Sequence, residues 1–262
     1  MTSNEAGMLF RQGQLGPAVA AAGQYVRRNP ADAGQRVLLA ELLLFAGELE
    51  RADAVLVAAE AVEPDAALVM AEFRQLLRAA VARRQLMAEG RLPEFLGEPT
   101  SVQKTILAAL VAMRAGDRQA AAEAAEAAEA MRPPVPGTAN GTAFDDFRDA
   151  DDLCNGSVEV LTTTGKYFWI PVERVLGMDF HPPKRPRDLF WRRCSMSVRD
   201  GPDGDVYLPV LYETDAGADD GLRLGRGTEW SDMAPVRGSG QRVFLVGSEG
   251  IPVTQLQSLE FA

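Results

Sequence analysis

The chain has 262 residues and is 47% hydrophobic, which is enough to build one large domain or two ordinary ones. Its formal net charge is −10, and both halves carry an excess of acidic residues. The composition therefore argues against a protein that binds nucleic acid over its whole surface.

The sequence contains no segment that predicts export or membrane insertion. Its first residues lack a charged region followed by an apolar one, and the longest apolar stretch is interrupted by Glu41. Cys154 and Cys194 have no metal-like spacing, and we expect both to be reduced thiols. These observations predict a cytoplasmic protein with no membrane partner.

A repeat of 34 residues organises the first half. Gly13 and Gly47 are 34 residues apart, and each is followed at the same distances by an alanine and a proline. This is the length and pattern of a tetratricopeptide repeat (TPR), in which glycine relieves the turn between two helices, alanine permits close packing and proline ends the unit. The three copies are Gly13, Ala18 and Pro30; Gly47, Ala52 and Pro64; and Gly116, Ala121 and Pro133.

The repeat frame fails between Pro64 and Thr100, where the sequence instead predicts one long helix. No glycine or proline interrupts residues 65–89. Helices are predicted at 3–13, 17–28, 31–46, 49–62, 65–89, 100–115 and 118–131.

The first helix of each TPR unit is predicted to line a concave groove that accepts a partner's amphipathic helix. The alternative is that these positions are packed core or are covered by the long helix. The predicted groove residues are Phe10, Arg11, Val37, Glu41, Leu44, Phe45, Ile106, Leu110, Met113 and Arg114.

The second half changes to a β pattern after a Pro- and Gly-rich stretch. Short alternating runs on both sides of Gly165, and again towards the C-terminus, predict a small, strongly bent sheet or barrel. The predicted fold is therefore multidomain α and β. It comprises a TPR-like α-α superhelix over 1–132, a linker over 133–142 and a β-rich, barrel-like α+β domain over 143–262.

The basic stretch His181–Arg193, with the sequence HPPKRPRDLFWRR, is predicted to clamp the second half internally. Its arginines are complementary to an acidic run, FDDFRDADDL, and its "RPRDLFW" segment predicts a helical turn. The predicted pairs join Arg185, Arg187 and Arg192 to Asp145, Asp146, Asp149, Asp151 and Asp152, while Phe190 and Trp191 enter the core. The alternatives are nucleic-acid binding through Lys184–Arg193, and a metal or catalytic role for the carboxylates.

Catalytic chemistry is not predicted. His181 is the one histidine, no serine or cysteine lies in a nucleophile motif, and one histidine with two cysteines cannot build a structural zinc site. The GRG and GSG segments lack the context of a phosphate loop. We therefore expect neither enzymatic activity nor a cofactor or metal.

The second half also contains a set of segments that together are typical of one protein family. FDDFRDADDL, GKYFWIPVERV, RPRDLFWRR, YLPVLY and QRVFLVG, with the ending LQSLEFA, together resemble the ImpE/SciE (TagJ-like) family, and the resemblance extends over nearly the whole chain. It implies an accessory component of a bacterial type VI secretion system.

The resemblance further implies a non-enzymatic adaptor. Its expected partners are the N-terminal helix of the small, TssB-type sheath subunit and the ClpV-type AAA+ ATPase, with no nucleic acid. The alternatives are a generic TPR peptide-binding scaffold and a nucleic-acid-binding protein.

Overall fold

The first half of the chain folds as paired helices, as its repeat pattern predicts. The computed structural model describes residues 4–214 and 217–262, so the predicted helix start at residue 3 lies outside the described residues. Gly13, Gly47 and Gly116 adopt positive φ angles of 84°, 71° and 79° at the turns within the pairs. The helices are α1 (Glu5–Arg11), α2 (Leu15–Arg28), α3 (Ala33–Phe45), α4 (Leu49–Glu60), α5 (Ala67–Glu89), α6 (Ser101–Arg114) and α7 (Arg118–Met131).

Local sequence explains where several helices begin and end. Thr100 and Gln103 form a capping box at the start of α6, and the Asp32 side chain accepts a hydrogen bond from the backbone of α3. The long helix α5 ends at Gly90, whose φ of 82° is left-handed.

The second half contains short antiparallel strands. The strands are β1 (Gly137–Ala139), β2 (Thr142–Phe144), β3 (Phe147–Asp149), β4 (Ser157–Leu161), β5 (Tyr167–Pro171), β6 (Val175–Phe180), β7 (Trp191–Val198), β8 (Gly204–Pro209), β9 (Thr228–Trp230), β10 (Gly238–Gly240), β11 (Val243–Val246), β12 (Glu249–Pro252) and β13 (Ser258–Phe261). An eight-stranded sheet has the order β2-β1-β13-β6-β7-β8-β4-β5, and β11 pairs with both β12 and β3. The predicted hairpin around Gly165 is β4–β5, and a 3₁₀ turn forms at Pro186–Leu189.

The stretch predicted as a linker, 133–142, is partly sheet. Within it β1 pairs with the last strand, with Gly137 opposite Phe261, and the β1–β2 hairpin turns at Asn140 and Gly141. Both turn residues have positive φ, of 50° and 82°. Asn-Gly is a strong hairpin signal, but the strands beside it are too short to show alternation. The fold class, a TPR-like helical array followed by a β-rich region, is confirmed.

One hydrophobic core runs through both halves. Phe73 of α5 packs edge-on against Trp191 of β7, with the ring centroids 5.9 Å apart. Gln103 of α6 donates to the Ser157 hydroxyl and to the Trp169 carbonyl, both at 3.1 Å. The helical array is therefore fixed to the sheet by apolar and polar contacts together.

A buried charge network lies at this junction. The carboxylate of Glu159 on β4 binds Arg83 of α5 at 2.8 Å, and it also binds Arg242 and the Tyr167 hydroxyl. Arg242 in turn binds Asp149 at 2.6 Å. Although burial alone raises the pKa of Glu159, the guanidinium groups of Arg83 and Arg242 outweigh it and hold that pKa well below its ordinary value.

Glu159→Gln is expected to lower the free energy of unfolding by about 3–5 kcal/mol, because two buried guanidinium groups lose a shared counter-charge. Urea unfolding followed by circular dichroism and by tryptophan fluorescence measures the loss. The matched control is Glu249→Gln, which changes an exposed carboxylate. A loss below about 1 kcal/mol would contradict the interpretation of Glu159 as the centre of the network.

Candidate partner interface

The α3 side of the predicted groove is covered by the second half. Glu41, Leu44 and Phe45 are buried. The ring of Phe45 lies between Phe10 and Phe190, with both centroid distances 5.2 Å. The prediction that Glu41, Leu44 and Phe45 line an open groove is therefore wrong. They are core, as the alternative proposed, but the cover comes mainly from the 3₁₀ turn at Pro186–Leu189 and from Phe190.

The α6 side of the predicted groove is also largely unavailable. Ile106 and Leu110 are buried, so the prediction is wrong for them as well, and Met113 is half-buried against the core. Arg114 is exposed, and its guanidinium donates at 2.9 Å to the carbonyl of Leu86, in the last turn of α5. Val37 of α3 is half-buried.

The basic stretch has different partners from those predicted. Arg187 lies over the ring of Phe73, 4.8 Å from its centroid, and its Nε is 4.0 Å from a carboxylate oxygen of Glu41. Arg192 donates to the carbonyl oxygens of His181, Thr254 and Leu256. Trp191 is buried and Phe190 half-buried, so neither ring offers an open face for stacking.

The acidic run is satisfied by arginines that the sequence analysis did not single out, so its predicted pairing with the basic stretch is wrong. Each partner reaches its carboxylate through the tertiary fold or through a nearby turn. Asp146 binds Arg132 at 2.5 Å, Asp149 binds Arg242 at 2.6 Å, Asp151 binds Arg237 at 2.8 Å and Asp152 binds Arg148 at 3.4 Å. Asp145 is exposed and forms no ion pair within the described part of the chain.

Glu41 and Arg187 form an incompletely satisfied pair beneath the covering segment. Within the described residues, one Glu41 oxygen and two Arg187 nitrogens are buried without a hydrogen-bond partner. Burial raises the pKa of Glu41 to about 7, against the attraction of Arg187 and Arg185. The pKa of this carboxyl is thus set mainly by its burial.

His181 lies in a polar cluster that its sequence position did not reveal. Its Nε2 is 2.9 Å from the Ser195 hydroxyl, which donates to Asp205 at 2.6 Å. In a Ser-His-Asp triad the carboxylate orients the other ring nitrogen of the histidine, whereas here Asp205 binds the serine. Among residues 4–214 and 217–262, no group of three or more His, Cys, Asp and Glu side chains is arranged to hold a metal ion. None of the helices described is both long and apolar enough to cross a membrane.

A partly open cavity of about 350 Å³ lies where α3 and α5 meet the end of β8. Its charged lining is already paired, because Arg83 binds Glu159 and Glu213 while Arg84 binds Glu50. This cavity therefore offers little free charge to a ligand.

Two residues of the predicted groove, Phe10 and Arg11, line an open cleft of about 500 Å³ between α1, α3 and residues 183–189. We name it the α1–α3 cleft. Its apolar side chains are those of Phe10, Leu38, Pro183, Pro186 and Leu189, and its cationic ones are those of Arg11, Lys184 and Arg185.

These features define a helical-repeat scaffold whose concave face is filled by its own β-rich region, with a basic and apolar cleft at one rim. A profile of the family described as ImpE protein matches residues 141–260. The type VI secretion system accessory component TagJ of Pseudomonas aeruginosa is 31% identical over 255 residues, which are 97% of this chain and 89% of that protein.

Protein VPA1032 of Vibrio parahaemolyticus, known from a crystal structure, has the same fold, with a TM-score of 0.91 and 27% identity over 98% of this chain and 97% of the other. The chain belongs to the ImpE family of type VI secretion system accessory components. The resemblance given by the sequence motifs is thus confirmed.

Phe45→Ala is expected to lower the free energy of unfolding by about 3–5 kcal/mol, because a buried ring between two other rings is removed. The control is Leu68→Ala, since Leu68 is 83% exposed and its truncation should cost less than about 0.5 kcal/mol. Urea unfolding measures both changes. Equal losses in the two variants would show that Phe45 is not packed as described.

Glu41→Gln is expected to become more stable relative to the wild type as the pH rises. The folded-state pKa of Glu41 is raised to about 7 from an ordinary value of 4.5. The contribution of this carboxyl to the free energy of unfolding is therefore fully present below pH 4.5 and is lost as the pH rises towards 7. Between pH 5 and pH 8 the difference between the two proteins should shift by about 2–3 kcal/mol in favour of glutamine.

Urea unfolding at pH 5 and pH 8 checks this shift. The control is Glu63→Gln, which makes the same substitution at an exposed position. A pH-independent difference for Glu41→Gln would contradict a buried carboxyl with a raised pKa.

Proposed function

We propose that the chain is a non-enzymatic, cytoplasmic adaptor of a type VI secretion system. It binds an N-terminal helix of the small, TssB-type sheath subunit and associates with the ClpV-type AAA+ ATPase during sheath turnover. The observation that carries the proposal is the match, over 97% of this chain, to a protein named as an accessory component of that system.

Features of the fold support an adaptor. TPR-like arrays present surfaces to other proteins, and this one keeps an open cleft beside its first repeat. The His181, Ser195 and Asp205 cluster has the wrong order of contacts for nucleophilic catalysis.

The nucleic-acid alternative is disfavoured by the position of the basic stretch. Arg187 and Arg192 are buried, and Arg193 is paired with Asp205 at 2.5 Å. Within residues 4–214 and 217–262, only Lys184 and Arg185 of its basic side chains are exposed without an ion pair, which is a small footprint for phosphate binding on a chain of net charge −10. A generic peptide-binding scaffold remains the second candidate, because the open cleft supports it equally well.

The purified chain is expected to co-elute in gel filtration with the full-length small sheath subunit of the same secretion locus, and not with a version that lacks the N-terminal helix. Adding the ATPase of that locus should shift the complex to a larger size. Separate elution of the chain and the full-length subunit at about 10 μM each would contradict sheath binding with a Kd of about 1 μM or tighter. Capture of an unrelated peptide instead would favour the generic scaffold.

A further inference from the structure

The α1–α3 cleft combines an apolar floor with unpaired positive charge. Phe10, Leu38 and Leu189 form the floor, and all three are partly accessible to solvent. The volume of about 500 Å³ falls within the range of binding pockets, about 300–1,000 Å³. Several side chains of a partner could enter it at once.

The cationic rim of the cleft stands out within an acidic chain. Arg11, Lys184 and Arg185 are exposed, and in the described residues none of them forms an ion pair. Some other surface arginines are paired internally, as Arg51 is with Glu48 and Arg193 is with Asp205. The three cations therefore give one rim of the molecule an excess of positive charge, which the nearby carboxylates of Asp188 and Glu41 offset only in part.

The segment that presents Lys184 and Arg185 is held in place. The carboxylate of Asp188 accepts hydrogen bonds from the backbone N–H groups of both residues, at 2.7 and 3.1 Å. These bonds fix the turn and hold the carboxylate against its backbone. Pro186 restricts the backbone, and buried Arg187 anchors the turn below. Little ordering is needed when a ligand binds, which favours affinity.

We propose that the α1–α3 cleft docks an amphipathic helix that carries carboxylates beside its apolar face. The cleft is walled by helix side chains and a turn and has no strand among its lining elements, so an extended peptide would find no ladder of backbone partners there, whereas a helix satisfies its own backbone. Charge complementarity selects the acidic residues, since arginine binds carboxylates in a forked geometry.

The proposal deepens the proposed function and rests on it for the source of the helix, which is the sheath subunit. Two probes separate the question of sheath binding from the question of where the helix docks. The first is a fluorescein-labelled peptide that spans the N-terminal helix of the small sheath subunit of the same locus. The second is a designed helical peptide that has leucines at i, i+3 and i+4, which form its apolar face, and glutamates beside that face.

The test compares Lys184→Glu/Arg185→Glu with Arg27→Glu/Arg28→Glu, an equal charge change on exposed positions of α2. Fluorescence polarisation should show at least tenfold weaker binding for the first variant and less than twofold for the second. Replacing the acidic residues of the peptide by lysine should restore binding to the first variant. Thermal melting by circular dichroism confirms that both variants are folded.

The outcomes separate the two proposals. If the sheath peptide binds both variants as it binds the wild type, the docking site is overturned while sheath binding stands. If the sheath peptide binds neither the wild type nor the variants, the proposed function fails, and the designed peptide decides on the cleft. Weaker binding of the designed peptide to the Lys184→Glu/Arg185→Glu variant than to the wild type supports the docking site. Failure of that peptide to bind the wild type overturns the docking site.

Discussion

A single buried carboxylate, that of Glu159, carries an ionic contact between the two halves of this chain. Removing an ionised group from water is costly, and the cost is offset only where opposite charges and hydrogen bonds converge on it. Arg83 reaches Glu159 from α5, and Arg242 reaches it from the segment before β11. The array cannot shift against the sheet without separating these charges, so the change of pattern near residue 132 marks a change of secondary structure within one shared core.

Much of the fold could be predicted because its signals are local. The glycines of the repeat occupy left-handed turns, and an uninterrupted run after Pro64 forms the long helix α5. Strands of three residues, such as β1 and β9, were not predicted, because alternation cannot be recognised over so few positions. The Asn140-Gly141 turn was the one local signal that could have identified β1 and β2.

The candidate site was less predictable because it depends on contacts between distant residues. The repeat register places Phe45 on the side of α3 that faces the concave surface, but it carries no information about what covers that side. Likewise, Asp149 and Arg242 are 93 residues apart, and composition cannot match one arginine rather than another to a carboxylate. Phe10 and Arg11 remain accessible because the covering turn at Pro186–Leu189 leaves the start of the array open.

The cover over α3 has a consequence for experiments that divide the chain where its pattern changes. A fragment of residues 1–132 would lose the segment from Pro186 to Trp191 and would uncover Leu44, Phe45 and Phe73 together. A contiguous apolar surface of that kind adheres to many proteins and to further copies of itself. Interactions found with such a fragment in a genetic screen would therefore report the protein's interior rather than a surface that a physiological partner meets.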